Sequence, residues 1–171
     1  LTKIDGKVIR DQVNSAGPLA KSIIKYTLSR IFELPKSTTP IFFEEKFLNP
    51  NENILKIRKF VIGDVIFRTG STNQDMYFIE NGAIKLLSKN NRVLAELSTG
   101  HCFGESAILR EKKREISAVV TQDTILRIID KNILFDEISK ETPYVKLSLL
   151  LILRRLEFMN TLRMADNFEN N

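Results

Sequence analysis

The sequence predicts an α+β chain: an antiparallel, jelly-roll-like β-barrel with helices before it, a short helical turn within it and a long helix after it. Three observations predict this. Short β-rich runs recur at roughly ten-residue spacing through the middle of the chain. Glycines and asparagines punctuate those runs, and on both sides the apolar period becomes helical.

The elements follow in chain order. Residues 1–50 read as a helical lead-in, either packed on the main domain or linking to an upstream one. Pro18 opens a segment over 19–34 with Leu19, Ile23, Ile24, Leu28, Ile31 and Phe32 at helical spacing, and Pro35 stops it. Pro40 and the Asn49-Pro50-Asn51 cluster mark loops. Residues 51–138 carry the barrel. Seven short strands are expected at 59–61, 65–67, 76–79, 83–87, 93–97, 117–120 and 124–128, with 89–92 as a hairpin turn. Gly63, Gly70, Gly82 and Gly100 fall at the expected junctions, where turns often need positive φ. A short helix over 132–138 precedes the last stretch, residues 139–171. There Thr142 can cap a helix with Pro143 in its first position, running without a breaker to about Ala165. Val145, Leu149, Ile152, Leu156 and Met159 follow a 4-3-4-3 spacing, which reads either as a homodimer seam or as packing within one chain. Leu150, Leu151 and Leu153 would then face the barrel.

Composition narrows the function. The chain has 171 residues, 43% apolar and 27% charged, which suits one folded domain with added helices. Its net charge of +5 favours anionic ligands but is too diffuse to argue contact with nucleic acid. Cys102 and His101 stand alone in their kind, so neither a disulfide framework, nor a metal cluster, nor a histidine-based catalytic set is expected. His101 reads as a surface residue, Cys102 as core packing, and Lys112 with Lys113 as solvated loop. A reducing, cytoplasmic setting is the simplest reading. No apolar run approaches the roughly 20 residues of a membrane span. The chain opens on Leu1, not Met, which leaves open that it is a piece of something longer.

The chemically informative stretch runs from Gly100 to Leu109, with Arg114 nine positions after Glu105. Gly104 permits close backbone approach, and Ser106, Ala107 and the two residues after them can form one helical turn whose amides face an anion. Arg114 brings a permanent charge and a fork of donors suited to phosphate. Glu105 would repel that phosphate unless a hydroxyl donated to it. A 3′,5′-cyclic nucleotide offers both: one phosphate charge, with a ribose 2′-hydroxyl beside it. The rival reading of Glu105 and Arg114 is a structural salt bridge under a turn.

Here the chain resembles the cyclic-nucleotide-binding domain family, shared by kinase regulatory subunits, catabolite-activator-type regulators and cyclic-nucleotide-gated channels. The resemblance runs from about Phe60 to Asn160. It covers Gly63-Asp64-Val65-Ile66-Phe67, Gly70, Met76-Tyr77-Phe78-Ile79, Gly82-Ala83-Ile84, Leu97 with Gly100, and Phe103-Gly104-Glu105, and Arg114 and Asp123 keep the family's spacing. It implies Arg114 on the cyclic phosphate, Glu105 on the ribose 2′-hydroxyl, and Gly104, Ser106 and Ala107 in the phosphate cradle. It also implies Leu86 and Leu94 beside sugar and base. Arg154-Arg155-Leu156 resembles the stretch just before the base-touching residues of catabolite activators, which makes Met159 and Asn160 candidates. The ligand implied is cAMP or cGMP, cAMP favoured, with no further cofactor.

Two positions depart from the family. A small residue and then alanine usually follow the arginine; here Glu115 and Ile116 do. In a strand, Arg114 and Ile116 would face the pocket and Glu115 would face away. Ile116 would crowd the ligand. Glu115 turned inward at about 6 Å would repel a phosphate by roughly 3 kcal/mol at an effective dielectric near 20. The expectation is therefore a regulatory, non-enzymatic module that binds a cyclic nucleotide and moves its C-terminal helix. The alternatives are a degenerate domain of the same fold used for dimerisation or docking, and a fragment of a transcription regulator or of a channel's cytoplasmic region. A helix-turn-helix needs two more helices after the long one. This chain offers only a short polar tail there, so direct contact with nucleic acid is not expected.

Overall fold

The computed structural model describes residues 5–32, 43–108 and 113–165. Asp5 caps helix α1 (Gly6–Ser15), its carboxylate accepting from the Lys7 amide at 2.9 Å. Pro18 occupies the first turn of α2 (Pro18–Ile31), where a missing amide proton costs no helical bond. The inward face of α2 is the predicted one, with Leu19, Ile23 and Ile24 buried. The helix ends at Ile31 rather than at 34, and Leu34, Pro35 and Pro40 lie outside the described residues. A π-helical turn, Glu44–Leu48, follows. Phe43 stacks on Phe47 at 5.3 Å between centroids and meets Phe78 edge-on at 6.1 Å, tying this turn to the sheet.

The sheet is antiparallel and six-stranded: β1 (Lys56–Phe60), β2 (Val65–Phe67), β3 (Met76–Leu87), β4 (Val93–Ser98), β5 (Cys102–Phe103) and β6 (Ser117–Ile129). Its spine is the long β3–β6 pair. Along β6, β1 pairs with the C-terminal half and β2 with the N-terminal half. On the other edge of β3, β5 pairs near Tyr77 and β4 from Ala83 to Leu87. The expected hairpin is present, with Asn91 at φ 59° and the Ser88 amide donating to Arg92 O at 2.8 Å.

Seven short strands were expected, and the difference has a local cause. The runs at 76–79 and 83–87 are one strand, as are 117–120 and 124–128. Gly82 is not a junction but a point where β3 and β6 close together, at φ +101°. A Cβ there would collide with Asp123 O and Thr124, while the buried Thr124 hydroxyl accepts from the Ala83 amide at 3.1 Å. The register shifts on both sides of this contact, so β3 bends without breaking. One strand, β5, is too short to read from periodicity.

Strand alternation divides the interior in two. Tyr77, Ile79, Phe103 and Leu126 point into the barrel with Phe67, Ile84 and Leu86. Met76, Phe78, Cys102 and Ile129 point the other way, onto α2 and the C-terminal helices. The same strands therefore serve both cores, which is why four successive residues, Met76 to Ile79, are all buried.

Asp130 caps α3 (Lys131–Ser139), accepting from the Asn132 and Ile133 amides at 2.9 and 3.1 Å. Thr142 Oγ1 accepts from the Val145 amide at 3.4 Å at the start of α4 (Pro143–Ala165). Of the two readings of the 4-3-4-3 spacing, the burial on α4 fits packing within one chain. Val145, Leu149 and Leu156 are buried in their own chain together with Leu153, while Ile152 and Met159 are half-buried. Leu150 and Leu151, expected on the barrel, are exposed. The inward positions 145, 149, 153 and 156 keep the 3.6-residue period of a straight helix packing on α2, not the 3.5 of a supercoil.

Candidate functional site

β5 leads directly into Gly104 and a 3-10 turn, Glu105–Ile108. Gly104 has φ +84°, and a Cβ there would stand 2.9 Å from Asp75 O and 3.3 Å from Arg114 Nη1. Only glycine fits so close to another backbone in this conformation. Arg114 lies outside any strand and is held by its backbone: its carbonyl accepts from Gly70 N at 2.7 Å and its amide donates to Ser71 O at 2.9 Å. Residues 113–116 are therefore irregular, and the alternation expected for a strand does not apply. Arg114, Glu115 and Ile116 all border the same cleft, Glu115 at its exposed rim and Ile116 against the barrel core.

The Arg114 side chain is buried and well held. Nη1 donates to Gly104 O at 3.0 Å and Nη2 to Asn73 Oδ1 at 2.9 Å and to Asp75 O. Its guanidinium lies 4.2 Å from the centre of the Phe67 ring. Nε is buried without a hydrogen-bond partner. Burial pushes its pKa down, opposed by Tyr77 and Asp75, and a guanidinium in such a setting keeps its charge. Tyr77 donates to Asn73 Oδ1 at 3.1 Å, and its pKa is raised by burial first and by Asp75 second. Asn73 also donates to Asp75 Oδ2 at 2.9 Å. Asn73, Asp75 and Tyr77 thus form one network around the guanidinium.

Glu105 is 3% exposed and is paired with Arg30, which reaches it from the last turn of α2. Its second oxygen, Oε2, is buried with no hydrogen-bond partner. Helix α4 closes the cleft from the far side with Leu153, Leu156, Glu157 and Asn160. What remains between these walls is a cavity of about 50 Å³. That holds a few waters, well short of the roughly 300 Å³ at which small-molecule sites begin. Outside Lys113, Arg114 and Glu115 the surface opens into a groove of about 540 Å³, also bordered by Thr69, Gly70, Lys89 and Thr161.

The structure thus gathers Gly104, Glu105, Ser106, Arg114, Glu115, Ile116 and Asn160 around one cleft. It does not bring Leu86 there: that side chain is buried inside the barrel, opposite Ala95 of β4. Leu94 is half-buried at the register shift of β4, and Met159 is half-buried on α4; neither borders the cleft. The side chain of Ala107 lies outside the described residues. Seven lining residues were not site candidates from the sequence: Arg30, Phe67, Asn73, Lys113, Leu153, Leu156 and Glu157. Of these, Asn73 had a local cue, a polar residue in the loop between Gly70 and the next strand. Among the described residues, no group of His, Cys, Asp and Glu could hold a metal ion, and no helix is long and apolar enough to cross a membrane.

Comparison with known proteins agrees with this fold. Residues 57–141 match the cyclic nucleotide-binding domain family. The potassium/sodium hyperpolarization-activated cyclic nucleotide-gated channel 2 of Mus musculus is 30% identical over 133 residues, covering 76% of this chain and 15% of the channel. Among solved structures, an EAL enzyme in its cAMP-bound form superposes with a TM-score of 0.58 at 26% identity, covering 67% of this chain and 31% of that one. The catabolite activator protein of Thermus thermophilus superposes at 0.52 with 27% identity, over 83% of this chain and 62% of its own. The six-stranded jelly-roll sheet and the sequence match over 57–141 agree, and this chain belongs to the cyclic nucleotide-binding domain family.

Proposed function

We propose that the chain is a regulatory, non-catalytic module that binds a 3′,5′-cyclic nucleotide, cAMP in preference to cGMP, and relays occupancy through α4. In this reading Arg114 takes the cyclic phosphate, Glu105 the ribose 2′-hydroxyl, and Gly104, Ser106 and Ala107 the rest of the phosphate cradle. Asn160 approaches the base from α4; Leu86 and Leu94, which do not border the cleft, are given no contact in this reading. The preference for cAMP rests on the likeness of Arg154-Arg155-Leu156 to catabolite activators. The observation that carries the reading is one cleft in which a buried arginine, a buried carboxylate and the long terminal helix meet. The cavity, about 50 Å³, is smaller than a nucleotide, and in this reading binding displaces one of its walls. Ligand contacts made in only one arrangement shift the population toward it, which is the physical content of a relay. The chain spans only 15% of the channel it resembles, and the output it controls in a longer protein is not assigned.

Isothermal titration with cAMP and cGMP tests this directly. Wild type should bind, cAMP the tighter, and Arg114→Ala should lose about 2–5 kcal/mol by stripping the charged partner from a partly buried phosphate. A wild type that binds neither nucleotide favours the second reading, a ligand-independent docking module of the same fold. That alternative draws its support from the small cavity and from an Arg114 whose Nη donors already have protein acceptors.

A further inference from the structure

Arg30 and Glu105 lie 75 positions apart in sequence, and nothing local pairs them. A carboxylate as buried as Glu105 stays ionised only beside a positive charge or several donors. Arg30 supplies that charge from α2, with its own side chain 16% exposed. The same end of α2 is tied elsewhere. Phe32, just past the helix, carries the Arg155 guanidinium of α4 at 5.3 Å from its ring centre. One turn earlier, Tyr26 donates to Gly100 O at 3.0 Å, on the loop that leads into β5. The C-terminal end of α2 therefore touches the turn and α4 at once, and Arg30 is its one side chain that enters the cleft.

We propose that Arg30 is a built-in occupant of Glu105, competing with the ribose hydroxyl, so that nucleotide entry frees the end of α2 and makes α2 an output element beside α4. The proposal rests on the reading of Glu105 given above and adds a residue and a direction to it. Because the ligand must break the Arg30–Glu105 pair, the resting protein is mostly in a form that binds weakly, and the apparent affinity falls by the competent fraction. A ligand without the 2′-hydroxyl has no cause to displace Arg30.

The test is titration of cAMP and 2′-deoxy-cAMP into the wild type, Arg30→Gln and Arg30→Lys, with hydrogen exchange of α2 read in parallel. Arg30→Gln should bind cAMP about tenfold more tightly and leave 2′-deoxy-cAMP unchanged; Arg30→Lys, which keeps the charge, should stay near wild type. Exchange at the end of α2 should rise when wild type binds cAMP and start high in Arg30→Gln. Weaker binding of both ligands by Arg30→Gln would make Arg30 a direct ligand contact and overturn the proposal, as would equal tightening of both. Cyclic nucleotide binding with no change in α2 exchange overturns the output role alone. If neither wild type nor Arg30→Gln binds either nucleotide, the functional reading fails, and this proposal falls with it. Thermal unfolding of each variant separates these outcomes from loss of the fold.

Discussion

Gly104 stands where backbone conformation and ligand geometry meet. Its φ of +84° is costly for any residue with a Cβ, and Asp75 O leaves no room for one. Gly104→Ala should therefore lower stability by about 1–3 kcal/mol, measured by urea denaturation, and should push Arg114 off the Gly104 carbonyl. An unchanged midpoint would mean that the turn relaxes freely and is not a rigid cradle. The neighbouring Arg114 shows how a charge is kept inside a small domain. Three acceptors, a ring face and a nearby tyrosine network share it, so its burial costs far less than that of a bare cation. That the Phe67 ring and the Asn73 side chain do this is not written in their own segments, because they meet Arg114 from a different strand and loop.

At the scale of one element, α4 shows how a helix with apolar residues on several faces chooses which to bury. Leu149 is 1% exposed and Leu151 is 60% exposed, although they are the same residue type two positions apart. Leu149→Ala should cost about 2–5 kcal/mol, because it opens a cavity between α4 and α2. Leu151→Ala should stay within about 0.5 kcal/mol, as a surface change does. Chemical denaturation of the two variants side by side checks this, and equal losses would mean that α4 packs by a different face. Tyr144, Leu147, Leu151 and Phe158 stay exposed on the outer side of α4, where Arg154 and Arg155 interrupt them.

At the scale of the whole molecule, the barrel interior and the helical core are not separable units. Met76 and Phe78 serve one, Tyr77 and Ile79 the other, on the same four residues of β3. Loss of either core removes the strand from both, so unfolding should be a single cooperative transition. The chain has no tryptophan and three tyrosines, so a Tyr26→Phe, Tyr144→Phe variant leaves Tyr77 as a fluorescent probe of the barrel alone. Its midpoint in urea should coincide with that of the helical circular dichroism signal. Two separated midpoints would show that α1, α2 and α4 melt away from a surviving barrel.

Features set by residues close in sequence were legible without a structure. Thr142 before Pro143, the glycines at 63, 70 and 100 and the Gly104-Glu105 pair with its spacing to Arg114 all express backbone geometry over a few neighbours. From them came the fold class, the long last helix and the segment that borders the cleft. The tertiary structure decided the rest, because those outcomes are choices among equivalent local options. Whether two β runs join depends on Thr124 closing against Gly82; which leucines of α4 turn inward depends on where α2 lies; and Glu105 takes Arg30 because burial leaves it needing a cation that only another helix can bring. Local sequence states what each residue can do, while desolvation and competition for partners across the folded chain settle which of those things it does.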